Sequence, residues 1–285
     1  MKYLCELQNS AMSYDKINKG GNFNSGVRKL DDVIILNPGQ RLKEIRKYLR
    51  LRQDELAGGK FSKNYISMFE NNKRSFNTIN ARYLADRINE LAKQRGKDIN
   101  IEPTYLLKSN EDIAREKCEC WLNEVENNLD LNLDRVYMNL YKAIYVASRY
   151  ELLGYKAKAL YLKGIYLLQR QLYDCAMTQL LDALVYYAKE NDFIYVGDVY
   201  AKLGMISYNQ RNLKQALIYF NLSQSVLERC EDIEDMIIED IKYYKALCYY
   251  EMGQYNTAQN MLGKVTTKNM KLLDLASQIN RALAV

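Results

Sequence analysis

A chain of 285 residues with 48% apolar content is long enough for one large domain or two ordinary ones and apolar enough to bury a core, which excludes a disordered chain. It contains no histidine, which removes the commonest general base, the usual catalytic triads and most zinc enzymes. The net charge of +6 is unevenly placed: residues 37–108 hold 16 Lys/Arg against 8 Asp/Glu, and residues 109–285 hold 20 against 23. A basic segment on a slightly acidic body is the charge pattern of a polyanion-binding head joined to a separate body.

Residues 1–36 read as an N-terminal extension. The run from Asn18 to Gly26 has the composition of a flexible loop, and Val33–Leu36 reads either as a short strand or as an apolar lead-in. The readings open for it are an extra arm, an interface element and an extension of little consequence, the last two ahead of the first. The first residues, MKYLCELQNSAMSYDK, lack the apolar stretch of a secretion signal, and no apolar run approaches the roughly 20 residues that span a bilayer. The expectation is a soluble, cytoplasmic protein with no membrane partner. Six cysteines fit a reducing compartment, and Cys118-x-Cys120 has no second pair to complete a zinc site, so the cysteines are expected as free thiols with no metal.

Residues 37–108 form the basic head. Asn37-Pro38 supplies a cap and an N1 proline, followed by Leu42, Ile45 and Leu49 at helical spacing. Gln53–Ala57 predicts a short second helix, Gly58-Gly59 a turn, and Ser62 the N-cap of a third helix with Ile66 and Phe69 facing inward. Asn71-Asn72 closes that helix with a left-handed residue. Thr78 is expected to cap a longer helix running to about Arg95, with Ile79, Tyr83, Leu84, Ile88 and Leu91 on one face. Gly96–Ser109 reads as exit and linker.

The order of these elements, with Gln53-x-x-x-Ala57, a turn, and Ser62-Lys-Asn-Tyr-Ile-Ser-x-x-Glu-Asn71, resembles the phage-repressor-like (Xre-type) helix-turn-helix family over residues 39–95. The resemblance implies that Gln53 touches the DNA backbone and braces the reading helix. It implies that Lys63 and Asn64 face base edges, where lysine donates to guanine and asparagine pairs with adenine. Ser62 opens that helix, Ser67 and Met68 lie one turn further on, and Lys73 and Arg74 match the phosphate-contacting loop. The turn before Ser62 is one residue shorter than the repressor pattern, and Tyr65 is bulky where the family is often small.

Residues 109–285 read as helical repeats. The segments beginning at Tyr161, Tyr200 and Tyr243 share a pattern: Gly164, Gly204 and Ala246 match, as do Ala176, Ala216 and Ala258, at spacings of 40 and 42 residues. Tyr173, Leu213 and Tyr255, three residues before those alanines, are expected to plug the gap between paired helices. Residues 111–152, with Trp121, read as a degenerate leading hairpin, and residues 267–284 as a capping helix. The pattern is similar to tetratricopeptide hairpins, whose repeat is about 34 residues, and such hairpins stack into a solenoid. That likeness places Lys158 and Gln169, then Lys202, Met205 and Asn209, then Tyr243, Tyr250 and Glu251 on the inner face as peptide-binding residues. An inward asparagine pairs with a peptide backbone through its donor and its acceptor together.

Head plus repeats over residues 37–285 resembles the RRNPP family of Gram-positive regulators, and the Asn37-Pro-Gly opening looks like a clostridial branch of it. The fold implied is all-α: a helix-turn-helix DNA-binding domain followed by an α-solenoid of tetratricopeptide-like hairpins. The function implied is a quorum-sensing transcription regulator, not an enzyme and without cofactor. Its partners are double-stranded DNA with a palindromic operator, a short signalling peptide and a second copy of itself in a homodimer. A second reading keeps the DNA-binding head but gives the repeats only dimerisation or recruitment of a protein partner.

Overall fold

The computed structural model describes residues 33–127, 133–230, 235–263 and 270–284. Among them it is all-α, with helices and no strand. Val33–Asn37 is not a strand: it is an apolar lead-in, and Val33 and Ile35 pack on the core of the first repeat hairpin. The remainder of the N-terminal extension lies outside the described residues.

Helix α1 (Pro38–Tyr48) starts as its sequence dictates. Asn37 Oδ1 accepts from Gln40 N at 2.8 Å, and Gln40 Oε1 accepts from Asn37 N at 3.0 Å, which satisfies two donors a helix start leaves open. Helix α2 (Gln53–Ala57) ends on Gly58 and Gly59 with φ of 57° and 81°. A Cβ at Gly58 would lie 2.5 Å from Tyr83 Oη, so both the conformation and the space require glycine there. Helix α3 (Lys63–Glu70) is capped by the Ser62 hydroxyl, and the chain leaves it through Asn72 at φ 53°. Helix α4 (Thr78–Gln94) buries Ala81, Leu84, Ala85, Ile88, Leu91 and Ala92. Two details differ from the sequence expectation. The cap is Asn77, whose side chain accepts from Asn80 N, one residue earlier than Thr78. Ile79 is 70% exposed, because the buried face begins at Ala81.

Residues 96–109 are not a linker. They contain helix α5 (Pro103–Leu107), whose Leu106 is fully buried in the head core, and Ile99, Ile101 and Tyr105 also pack against that core. Asn89 of α4 holds this segment by donating to Ile101 O at 3.0 Å and accepting from Ile101 N at 2.7 Å. Five residues are too few for apolar periodicity to declare a helix, so tertiary packing decides.

The repeats are the hairpins α6 (Asn110–Asn127) with α7 (Leu133–Arg149), α8 (Leu153–Gln169) with α9 (Tyr173–Lys189), α10 (Phe193–Asn209) with α11 (Leu213–Leu227), and α12 (Asp235–Glu251) with α13 (Tyr255–Leu262), closed by α14 (Met270–Leu283). The 40-residue spacing resolves into two steps of 20. Glu151, Gln171, Asn191 and Arg211 all adopt φ between 55° and 63°. After each, the next amide reaches back across the turn: Leu152 N to Ala147 O, Leu172 N to Leu167 O, Asp192 N to Tyr187 O and Asn212 N to Ser207 O, at 2.9–3.0 Å. This is the hydrogen-bonded left-handed helix ending, repeated at fixed intervals.

The small residues act as expected, but the residues that fill the gap are different. A Cβ on Gly164 would lie 2.7 Å from Leu180, and one on Gly204 would lie 2.6 Å from Phe220. Leu180 and Phe220 come four residues after Ala176 and Ala216, one helical turn inward. Tyr173, Leu213 and Tyr255 sit half-buried at the first residue of each second helix. The apolar clusters run from hairpin to hairpin along the array, whereas the head core is a separate cluster that shares no residue with them.

Candidate functional site

Helix α3 divides its residues cleanly. Ile66 and Phe69 are fully buried, and Glu70 is 3% exposed. Lys63, Asn64 and Met68 are exposed on the other side, with Ser67 half-buried beside them. Such a helix is held from one side and offers the other to a partner. Ser62 is exposed but its hydroxyl accepts from Tyr65 N at 3.2 Å, so its first task is the cap. The Ser67 hydroxyl accepts from Asn71 Nδ2 at 3.3 Å.

Glu70 explains how the helix is fixed. Its carboxylate accepts from Arg46 Nε at 2.5 Å and Nη2 at 3.0 Å, and from Gln53 Nε2 at 2.8 Å. Arg46 also donates to Leu51 O at 2.9 Å. One buried carboxylate thus joins α1, α2 and α3, and Gln53 serves as a brace through its amide nitrogen. The hydrogen bond to Glu70, followed by the attraction of its charge, holds the Arg46 pKa above the usual arginine value, against the opposing effect of burial. Arg46 and Glu70 were not singled out in the sequence. The available signal was an acidic residue on the inward face beside Ile66 and Phe69, since a buried charge requires a partner.

Tyr65 does not face outward as an obstacle. Its ring stacks on Phe61 at 5.0 Å and meets Phe69 edge-on at 4.8 Å. The Arg74 guanidinium lies 4.6 Å from the ring centroid and donates to Tyr65 Oη at 2.7 Å. The bulky residue therefore positions the basic loop, where Lys73 is exposed beside Arg74. Phe61 fills the short turn and also meets Tyr83 at 5.3 Å, and Lys60 lies over the Tyr83 ring at 4.7 Å, adding a cation to the same surface.

The repeat residues are not gathered into one pocket. Lys202 and Met205 share a cleft between α10 and α12 with Asp198, Asp240 and Tyr244. Lys202 pairs with Asp198 at 3.4 Å, and Asp198 also accepts from the Tyr161 hydroxyl of α8. Burial, reinforced by the charge of Asp198, pushes the Tyr161 hydroxyl far above the usual tyrosine range, so it stays protonated and donates. Lys158 lies elsewhere, paired with Glu126 of α6 at 3.0 Å and beside an open depression of about 330 Å³ lined by Arg115, Glu151, Tyr155 and Glu190. Glu251 accepts from the Tyr208 hydroxyl and from Arg211 at 2.5 Å, tying α12 to α10. Gln169 and Asn209 are exposed at the last residues of α8 and α10. Tyr243 and Tyr250 pack in the last cluster, with Tyr250 5.5 Å from Tyr255 of α13. The tyrosine cluster of Tyr161, Tyr187 and Tyr195, with the last two stacked at 4.8 Å, was not singled out in the sequence.

Among the described residues, no group of His, Cys, Asp and Glu is placed to hold a metal ion, and no helix is long and apolar enough to cross a membrane.

No protein-family model matches the chain, and no curated protein matches it. Two solved structures are similar to it. The crystal structure of Bacillus thuringiensis PlcR in complex with the peptide PapR7 and DNA is 16% identical, with a TM-score of 0.35 over 87% of this chain and 82% of that one. The structure of a single-site mutant of PrgX is 19% identical, with a TM-score of 0.28 over 87% of this chain and 93% of that one.

Proposed function

We propose that the chain is a DNA-binding transcription regulator whose repeats sense a short peptide. The observation that carries the first part is α3: Lys63, Asn64 and Met68 stand outward on a helix that Ile66, Phe69 and Glu70 hold rigidly from behind. Lysine and asparagine at the start of a presented helix suit base edges, and Lys73 with Arg74 suits phosphates. The head as a whole carries twice as many basic as acidic residues, 16 against 8, which favours a polyanion.

In this reading two copies form a homodimer, and their heads meet the half-sites of a palindromic operator. A short signalling peptide on the inner face of the repeats, over the surface that carries Lys202 and Met205, favours one placement of the heads. It shifts the equilibrium only as far as its affinities for the two placements differ. The test is genomic footprinting of the protein with and without short peptides encoded beside its gene. Absence of any preferred site sinks the DNA reading; preferred sites that no peptide alters sink the sensing reading alone.

One observation favours the second reading of the repeats as a protein-binding surface. Leu181 and Val185 on α9 and Ile218 and Leu222 on α11 are apolar and exposed on neighbouring second helices. Mass spectrometry of protein purified from its host separates the two: a co-purified peptide supports sensing, and its absence together with a stoichiometric protein partner supports recruitment.

A further inference from the structure

We propose that Arg41 is a positioning residue, a latch that sets the head on the repeat array. The proposal rests on the DNA-binding reading only for its consequence on operator recognition.

The chain passes between head and repeats twice, entering through Val33–Asn37 and leaving through Leu107–Asn110. The entering segment belongs to the repeats by packing: Val33 and Ile35 lie on the first-hairpin core, and Lys117 of α6 reaches Ile34 O at 3.5 Å. The leaving segment is anchored there too, because Lys108 pairs with Glu116 of α6 at 2.6 Å and Ser109 caps that helix in a reciprocal bond with Asp112. The head core and the first-hairpin core share no residue.

Arg41 of α1 sits where the two passages meet. It is 3% exposed. One arm of its guanidinium, Nη1, donates to Leu36 O at 2.8 Å, and the other, Nη2, donates to Lys108 O. Its face lies 5.3 Å from the Tyr105 ring of α5. A planar fork holds two carbonyls at once and stacks on a ring, which a lysine ammonium does not reproduce. The same side chain therefore grips the head through α1 and α5 and both segments that lead to the repeats. The angle between reader and array is set at this point.

The test compares the full-length protein with Arg41→Lys, which keeps charge and stem, and with Val33→Ser/Ile35→Ser, which loosens the entering segment without touching the head core. Spin labels attached through non-thiol unnatural side chains at Lys93 and Ser225 report the distance between head and array. Both variants are expected to broaden the distance distribution while circular dichroism stays that of the parent. Affinity for a single operator half-site should change less than about two-fold, whereas preference for the correct half-site spacing should fall by about ten-fold. Unchanged, narrow distances in both folded variants overturn the latch. The distance measurement needs no DNA, so a parent protein that fails to bind any operator overturns the functional reading and leaves the latch to be decided by the labels.

Discussion

At the scale of single residues, the reading helix separates two kinds of contact that mutation can distinguish. Replacing Lys63 or Asn64 with alanine should change which base pairs are preferred at the matching operator positions, by about 1–3 kcal/mol of discrimination. Replacing Arg74 should weaken binding on all sequences and reduce the slope of log affinity against log salt by about one. Competition binding against a randomised operator library, repeated at several salt concentrations, checks both; an Arg74 variant with altered base preference would mean that α3 is wrongly placed in the groove. The brace behind the helix is equally testable. Glu70→Gln removes the charge that faces the half-buried Arg46 while keeping the shape, and losing that charge-assisted pair should cost the head about 1.5–3 kcal/mol. Denaturant titration of the head measures it, and the Arg46→Met/Glu70→Met double variant should recover much of the loss.

Asp112 has a consequence for pH. Its carboxylate accepts from the Ser109 hydroxyl and then from the Ser109 N–H, and these hold its pKa below the usual aspartate value. A carboxyl lowered in the folded state stabilises above its unfolded pKa and loses that contribution as pH falls through the folded one. The N-terminus of α6 should therefore open to hydrogen exchange as pH drops below about 4. Asp112→Asn should flatten that dependence in the amides of residues 110–113.

At the scale of elements, the repeats show which local features carry stability. Gly204 lets α10 approach α11 so closely that an added Cβ would lie 2.6 Å from the Phe220 ring. Gly204→Ala should cost about 1–3 kcal/mol through overpacking. Gln171 is the opposite case: it holds a left-handed backbone at φ 58°, which a glycine adopts without strain. Gln171→Gly should leave the protein as stable or more stable by up to about 1 kcal/mol. Thermal denaturation should show a lowered midpoint for Gly204→Ala and an unchanged or raised one for Gln171→Gly. The head helices, their caps to within a residue, and the 40-residue repeat are legible in the sequence because a cap and an apolar stripe are each defined within a few neighbouring residues. Helix α5 is not, because five residues carry no period and Leu106 is buried by α4 and α1 rather than by its own neighbours.

At the scale of the whole molecule, the head and the repeats have separate cores, so unfolding should not be a single two-state event. Calorimetry should show more than one transition, and Glu70→Gln should lower only the one belonging to the head. A single transition displaced as a whole by that substitution would show that the joint at Arg41 couples the two cores more tightly than their packing indicates.

By itself the sequence determines that this chain is helical, that a basic head precedes a repeat array, and that Lys63 and Asn64 stand on a helix anchored by Ile66 and Phe69. Those properties follow from periodicity, caps and composition, which act over a few residues. Only the tertiary structure decides that Glu70 ties Arg46 to Gln53, that Leu180 and Phe220 rather than Tyr173 and Leu213 meet the helical glycines, and that Tyr243 and Tyr250 pack toward the end of the array. It also decides that Arg41 joins Leu36 to Lys108. Each of these contacts links residues brought together by the crossing of different helices, and the angle and depth of a crossing are set by many side chains packing at once, which no short stretch of sequence contains.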